Sequence, residues 1–227
     1  MTKSSSVPEA KFGQHFHAPL KGVKVVDLSH VQAGPICGMM LADMGAEVIK
    51  IESLDGDMYR GPVGGAYFQN FNRNKRSIAL DLKSKEGLQI ALDLCSKADV
   101  FLENFLPGAM NRLGLGYEAI SKLNPSIIYA SVSGFGQDGA QAKRPAFDPA
   151  IQALSGFMDS MGEADRPPVR TRTAMIDYSA GTTMAFAVAA ALFRRAKEGA
   201  GEHIDIALMD IGLYAMSPYV TYYKSHG

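Results

Sequence analysis

One carboxylate stands at the mouth of the most apolar run in the chain. The segment TAMIDYSAG (173–181) carries Asp177 and leads directly into TTMAFAVAAALF. An acid in that place either caps a helix beginning near Ser179 or acts as a nucleophile. In a partly dry pocket at a helix N-terminus it would stay ionised yet poorly hydrated, the state covalent catalysis asks of it. The small residues Ser179, Ala180 and Gly181 beside it leave room for a bulky ligand. The local sequence leaves both readings open.

Other polar residues suited to binding sit in short loops. SHVQAGP (29–35) sets Gln32 at the start of a helix, where exposed backbone N–H groups cradle anions. LDLK (80–83) offers Lys83, ENFLPGAMNRLG (103–114) offers Asn104 and Arg112, and SGFGQDG (133–139) adds a glycine-rich turn. Lys75, Arg76, Lys83 and Arg112 are expected in loops along one sheet edge, where together they would neutralise a phosphate-rich ligand. A nicotinamide dinucleotide does not fit. Glu52 has the position of a ribose-binding acid, but only Gly34 and Gly38 follow the first strand and no G-x-G-x-x-G occurs.

The elements that must position these loops alternate along the chain. Apolar strands are expected at 23–29, 47–53, 76–82, 99–105 and 126–136, with a strand or strand-to-helix passage at 201–210. Helices are expected at 34–46, 84–98, 117–124, 147–162 and 179–197, with 169–177 extended. Strands and helices that trade places in this way indicate a doubly wound α/β fold, a mostly parallel, Rossmann-like sheet covered on both faces. Ligands then bind at the carboxyl ends of the strands.

Composition agrees with that class. Of 227 residues 47% are hydrophobic, and 23 basic residues balance 23 acidic ones. A net charge of zero argues against nucleic acid or an anionic membrane as a partner, so an anionic ligand needs a local site. Cys37 and Cys95 sit in apolar helical patterns and read as buried free thiols of a reducing, cytoplasmic compartment. Residues 1–19 read as a flexible arm with no signal peptide, and the run 180–193 as too short and interrupted to span a bilayer. HFH (15–17) and DGD (55–57) lack the further ligands a metal requires, so no metal is expected.

The segments LKGVKVVDLSHVQAGPICGMMLADMGAEVIKIE (20–52), NRNKRSIALDLKSKEG (72–87), DVFLENFLPGAMNRLGLGYEAISKLNPSIIYASVSGFGQDG (99–139) and FDPAIQALSGFM (147–158) resemble class III coenzyme A transferases, the family of formyl-CoA transferase and carnitine CoA-transferase. The resemblance is dense from Leu20 to about Asp210. It implies a CoA-binding domain over 20–200, acyl-CoA and a carboxylic acid as substrates, no permanently bound cofactor, and an aspartyl mixed anhydride followed by an aspartyl-CoA thioester at Asp177. Gln32 matches the glutamine that hydrogen-bonds the acyl group, and Ala33 the residue whose backbone holds CoA. Leu80, Asp81, Leu82 and Lys83 match the border of the adenine and phosphates. Asn104, Phe105 and Leu106 match the turn under the pantetheine, Arg112 a phosphate-binding arginine, and Asp148 an acid near the reacting group.

Two departures qualify the match. Ser53 stands where formyl-CoA transferase has an arginine. The related α-methylacyl-CoA racemases need a histidine directly before an aspartate, and this chain reads Ala146-Phe147-Asp148, which favours the transferase. Family members are longer and form interlocked homodimers. The resemblance therefore implies that 201–227 begins a connection to a small second domain and that the chain is a truncation, a cleavage product or a split subunit. A homo-oligomer is expected, and a non-catalytic CoA-binding module is the alternative to an enzyme.

Overall fold

A computed structural model describes residues 18–61, 64–163 and 165–226. Most of the expected N-terminal arm, with His15 and His17, lies outside the described residues.

The apolar strands pair in parallel into a single sheet. They are β1 (Lys24–Asp27), β2 (Glu47–Glu52), β3 (Lys75–Ala79), β4 (Val100–Glu103), β5 (Ile128–Ser133) and β6 (Glu202–Ala207), in the order β3-β2-β1-β4-β5-β6. The order reverses between β1 and β4, so the crevice beyond their carboxyl ends is the natural ligand position. β4 and β5 are buried at every residue, whereas the edge strands β3 and β6 are only partly covered. A central parallel strand has helices on both faces and needs apolar residues on both.

Period-two alternation divides the core in two. Val25, Leu102 and Ala130 face one side, Val26, Phe101 and Tyr129 the other. The first side is covered by α1 (Ala33–Asp43) and α7 (Met175–Glu198), with α6 (Asp148–Leu154) and α8 (Leu208–Ala215) at its end. The second is covered by α3 (Lys85–Ser96), α4 (Ala109–Leu113) and α5 (Tyr117–Leu123). α2 (Gly65–Asn72) lies against α1, and α9 (Ser217–His226) closes the described chain. Ser84 caps α3 by accepting the Gly87 N–H at 3.0 Å.

Several expectations change. The helix expected over 147–162 stops at Leu154, and of the extended segment expected over 169–177 the last three residues already belong to α7. α2 and α4 form where no helix was expected. α7 begins at Met175, four residues before Ser179, and its 24 residues are long and apolar enough to cross a membrane by length and composition. Here that apolar character is used in packing, since Ala180, Met184, Val188 and Ala191 are buried in the core. Cys37 and Cys95 are buried free thiols, and burial pushes the Cys95 pKa up to about 12.

Gly181 sets how closely α7 meets α1. A Cβ added there would lie 2.6 Å from the Ala33 carbonyl oxygen and 2.7 Å from Ile36 Cβ. Ala180 and Gly181 are therefore small because two helices cross at that point, and not to admit a ligand.

Candidate active site

Asp177 occupies the first turn of α7 and does not cap it. The N-cap residue is Ala174, and no side chain of its own bonds the helix end. The cap comes from Asp148, whose Oδ2 accepts the backbone N–H groups of Ile176 at 2.7 Å and Asp177 at 3.1 Å. Asp148 Oδ1 accepts from Gln152 Nε2, so both oxygens of this buried carboxylate are engaged. Satisfied by those three donors, Asp148 acts as an anchor. The Asp177 side chain is thereby released from capping. Burial, and then the charge of Asp148, raise its pKa to about 7.

Opposite it stands the loop 29–32 between β1 and α1. Its backbone is bolted down by buried charges. Asp27 Oδ1 accepts the Ser29 N–H at 2.9 Å, and Lys50 Nζ donates to the Ser29 carbonyl at 2.5 Å. Lys50 also pairs with Asp57 at 3.1 Å. Asn104 clamps the next residue from the β4–α4 loop, accepting the His30 N–H at 2.9 Å and donating to the His30 carbonyl at 2.7 Å. Val31 then adopts φ 66°, a conformation that strains a β-branched residue. That turn brings Gln32 to the N-cap of α1. Gln32 Nε2 donates to the Tyr59 hydroxyl at 3.2 Å, while its buried Oε1 has no hydrogen-bond partner in the structure.

The two sides enclose a cleft of about 500 Å³ over the carboxyl ends of β1, β4 and β5. Gln32, Ala33, Asn104, Phe105, Leu106, Arg112 and Asp177 all line it. A neighbouring groove of about 750 Å³ is lined by Leu80, Asp81, Leu82 and Lys83. His30 and Phe105, with ring centroids 4.8 Å apart, form the wall common to both. A long ligand with one reactive end and one charged end would lie across this divide. Of the residues matched to the family's site, Asp148 alone lines neither space.

Two expected phosphate ligands are elsewhere. Lys75 is buried in an ion pair with Asp27 at 2.8 Å and also donates to the Pro35 carbonyl and Asn72. Arg76 sits near the amino end of β3, beside Glu47 at 3.6 Å, on the wrong side of the sheet for this cleft. The first residues of a parallel strand face the edge opposite the binding loops, which the strand's span in sequence already implied. Glu52 is committed to Arg60 at 2.5 Å and to the Asp57 N–H at 3.0 Å.

Tyr59, Tyr67, Phe71 and Tyr178 form an aromatic wall beside Gln32 that the sequence reading missed. The four-residue spacing of Tyr67 and Phe71, as on one face of a helix, was the available signal. Arg170 and Arg172, in the segment read as extended over 169–177, were missed as well.

The family model described as CoA-transferase family III matches residues 20–227. The acetyl-CoA:oxalate CoA-transferase of Acetobacter aceti is 46% identical over 199 residues, covering 85% of this chain and 51% of its own length. The succinate–glutarate CoA-transferase of Agrobacterium fabrum is 42% identical over 206 residues, covering 85% of this chain and 52% of its own. A crystal structure of a CAIB/BAIF family protein from Brucella suis matches with a TM-score of 0.89 at 41% identity, over 92% of this chain and 58% of that one. The chain thus spans about half the length of the curated relatives it matches. With the family model matching nearly the whole sequence and these relatives well above 30% identity, the chain belongs to CoA-transferase family III.

Proposed function

We propose that this chain carries the nucleophile and the coenzyme A site of a CoA-transferase that moves CoA between carboxylic acids. The observation that carries the reading is the position of Asp177, freed from capping by Asp148 and turned into a cleft that continues toward Lys83. In the first step the Asp177 carboxylate attacks the thioester carbonyl. The C–S bond breaks, CoA leaves as a thiolate and a mixed anhydride remains. The thiolate then attacks the aspartyl carbonyl, releasing the first acid as its carboxylate and leaving an aspartyl-CoA thioester. The acceptor carboxylate attacks that thioester and frees the thiolate. Attack of the thiolate on the acceptor's acyl carbon completes the new acyl-CoA and restores Asp177.

Each charge that develops has a partner nearby. The N-terminus of α7 favours the ionised carboxylate. Turning the Gln32 amide over would let Oε1 accept from the Tyr59 hydroxyl and free the NH2 group to donate to an acyl oxygen. His30, Phe105 and the Asn104-clamped backbone would support the pantetheine arm, and Lys83 and Arg112 the phosphates. Phe147 precedes Asp148 and cannot take a proton, which weighs against a two-base racemase. Exposed aromatic residues on α7 and α9, among them Phe186, Phe193, Tyr222 and Tyr223, suit association with another chain.

Incubation with acetyl-CoA followed by hydroxylamine trapping and peptide mapping tests the reading. Hydroxamate is expected at Asp177. Modification at another acid, or an unchanged yield in Asp177→Ala, would overturn it. A chain that binds CoA without ever being acylated would be a binding module.

A further inference from the structure

One buried ammonium group reaches two loops at once. Lys50, in β2, has its side chain almost wholly buried. On one side its Nζ donates to the Ser29 carbonyl at 2.5 Å, three residues before Gln32. On the other it pairs with Asp57 at 3.1 Å. Asp57 Oδ1 in turn accepts the Tyr59 N–H at 2.9 Å, and the Asp57 N–H is held by Glu52 at 3.0 Å. The two loops then meet again at their far ends, where Gln32 Nε2 donates to the Tyr59 hydroxyl at 3.2 Å. Lys50, Ser29, Gln32, Tyr59 and Asp57 thus close a ring of contacts.

Stability alone is a poor reason for such a ring. A buried ion pair costs so much desolvation that an apolar pair of the same volume often serves the fold as well or better. What the ring does is fix both partners of one hydrogen bond. Val31, at φ 66°, aims Gln32 from a backbone clamped at Ser29 and His30. The Tyr59 ring is confined by stacking on Tyr67, with centroids 5.4 Å apart and planes 28° from parallel. A primary amide has two orientations of nearly equal shape, and only its partners choose between them. The buried Gln32 Oε1 has no partner of its own, and the Tyr59 hydroxyl is the donor within reach of that amide.

We infer that Lys50 and Asp57 are positioning residues, which orient the Gln32 amide by holding its backbone through Ser29 and its partner through Tyr59. This deepens the transferase reading above and rests on it. With the tyrosine hydroxyl donating to Oε1, the NH2 group faces the acyl oxygen and donates to it as negative charge develops there. No proton changes hands along the ring. Its contribution is that the donor is already in place when the thioester is attacked.

The test is a set of coupled variants, read by the rate of hydroxamate formation at Asp177 under saturating acetyl-CoA. Tyr59→Phe should slow it by at least about tenfold, with CoA affinity unchanged by calorimetry. In a Gln32→Ala background the same substitution should cost nothing more, because the group it orients is gone. Lys50→Met/Asp57→Asn removes both charges together and should slow labelling in the parent but not in Gln32→Ala. Asp57→Glu, which keeps the charge and displaces it, carries the same expectation if the pair variant does not fold. Full labelling in Tyr59→Phe, or losses that persist without Gln32, would overturn the inference. If no acyl-CoA marks Asp177, the transferase reading fails and NMR decides the positioning alone. The Gln32 side-chain NH2 signals, assigned by their loss in Gln32→Ala, should shift in Tyr59→Phe and in the Asp57 variants. Signals that stay in place would show that the ring does not hold the amide.

Discussion

Asp148 accepts the backbone N–H of Asp177 at 3.1 Å, so one carboxylate holds the helix end on which the other is presented. A helix cap normally comes from the residue just before the first turn. Here it comes from α6, 29 positions earlier, and the acid inside the first turn is left with its side chain in the cleft. The arrangement brings two negative groups together, and that has measurable consequences.

The first is a pH profile. Burial and Asp148 raise the Asp177 pKa to about 7, so acylation by acetyl-CoA should increase as pH rises through that value. Asp148→Asn removes the second cause, and the midpoint should move to lower pH. The same substitution turns an NH2 group toward Gln152 Nε2 and should cost about 1–3 kcal/mol of stability. A profile that does not move would exclude Asp148 as an electrostatic partner.

The second is a stability difference of defined sign. A carboxyl group with a raised folded-state pKa contributes its full share below the unfolded value near 3.8 and loses it as pH rises through about 7. Asp177→Asn removes that loss, which amounts to about 1.4 kcal/mol for each pH unit separating the folded value from the unfolded one. The α7 dipole favours the charge and offsets part of it. The variant should therefore be inactive yet melt higher than the parent at pH 8, with the advantage shrinking toward pH 4. A lower melting temperature across the range would contradict a buried carboxylate with a raised pKa.

Much of this was legible in the sequence because the fold follows from patterns with a fixed period. Alternating apolar strands gave the parallel sheet, and Asp177, Gln32, Arg112 and Lys83 all line spaces at its carboxyl edge. The errors share a physical origin in pairing over distance. Lys75 looked like a free cation until the fold brought Asp27 to it from 48 positions away. The start of α7 was set too late because its cap is Asp148 and not a neighbour in sequence. The extended reading of 169–177 ran three residues into α7, and Thr171 before it is held by Gln152 from 19 positions away.

Lys75 yields the third prediction. Its amino group is buried against Asp27 at 2.8 Å, and Asp27 also holds the Ser29 backbone. Burial works to raise the Asp27 pKa, but Lys75 and Lys50 outweigh it and keep the carboxyl below its usual range. Lys75→Ala leaves that charge buried with one partner fewer and should destabilise the fold by about 3–5 kcal/mol. Urea denaturation measures it. A loss under about 1 kcal/mol would mean that Lys75 behaves as a surface cation after all.

Arg112 and Arg76 form a matched pair for the fourth. Arg112 lines the cleft at the end of α4, whereas Arg76 stands near the opposite edge of the sheet. Arg112→Ala should weaken CoA binding by about 1–3 kcal/mol and flatten its salt dependence. Arg76→Ala should leave both unchanged. Calorimetry at two ionic strengths tests the pair, and equal effects would mean that the sheet edge has been assigned wrongly.

The last prediction concerns the crossing that sets Asp177 and Gln32 against each other. α1 begins at Ala33, next to Gln32, and α7 carries Asp177 one turn before Gly181. At Gly181 the helices touch so closely that an added Cβ would fall 2.6 Å from the Ala33 oxygen and 2.7 Å from Ile36 Cβ. Both obstacles lie in a packed core and neither is the end of a flexible side chain. Gly181→Ala gains helix propensity worth about 1 kcal/mol, but the overlap must be relieved by moving one helix, at about 1–3 kcal/mol. Because Ala33 adjoins Gln32, that movement also widens the cleft at the reacting groups. A shift of about 1 Å is enough to cost roughly a hundredfold in rate. The variant should therefore stay folded, retain CoA binding at Arg112 and Lys83, and label Asp177 far more slowly. Normal labelling with normal stability would show that α1 and α7 can part at this crossing without disturbing the site.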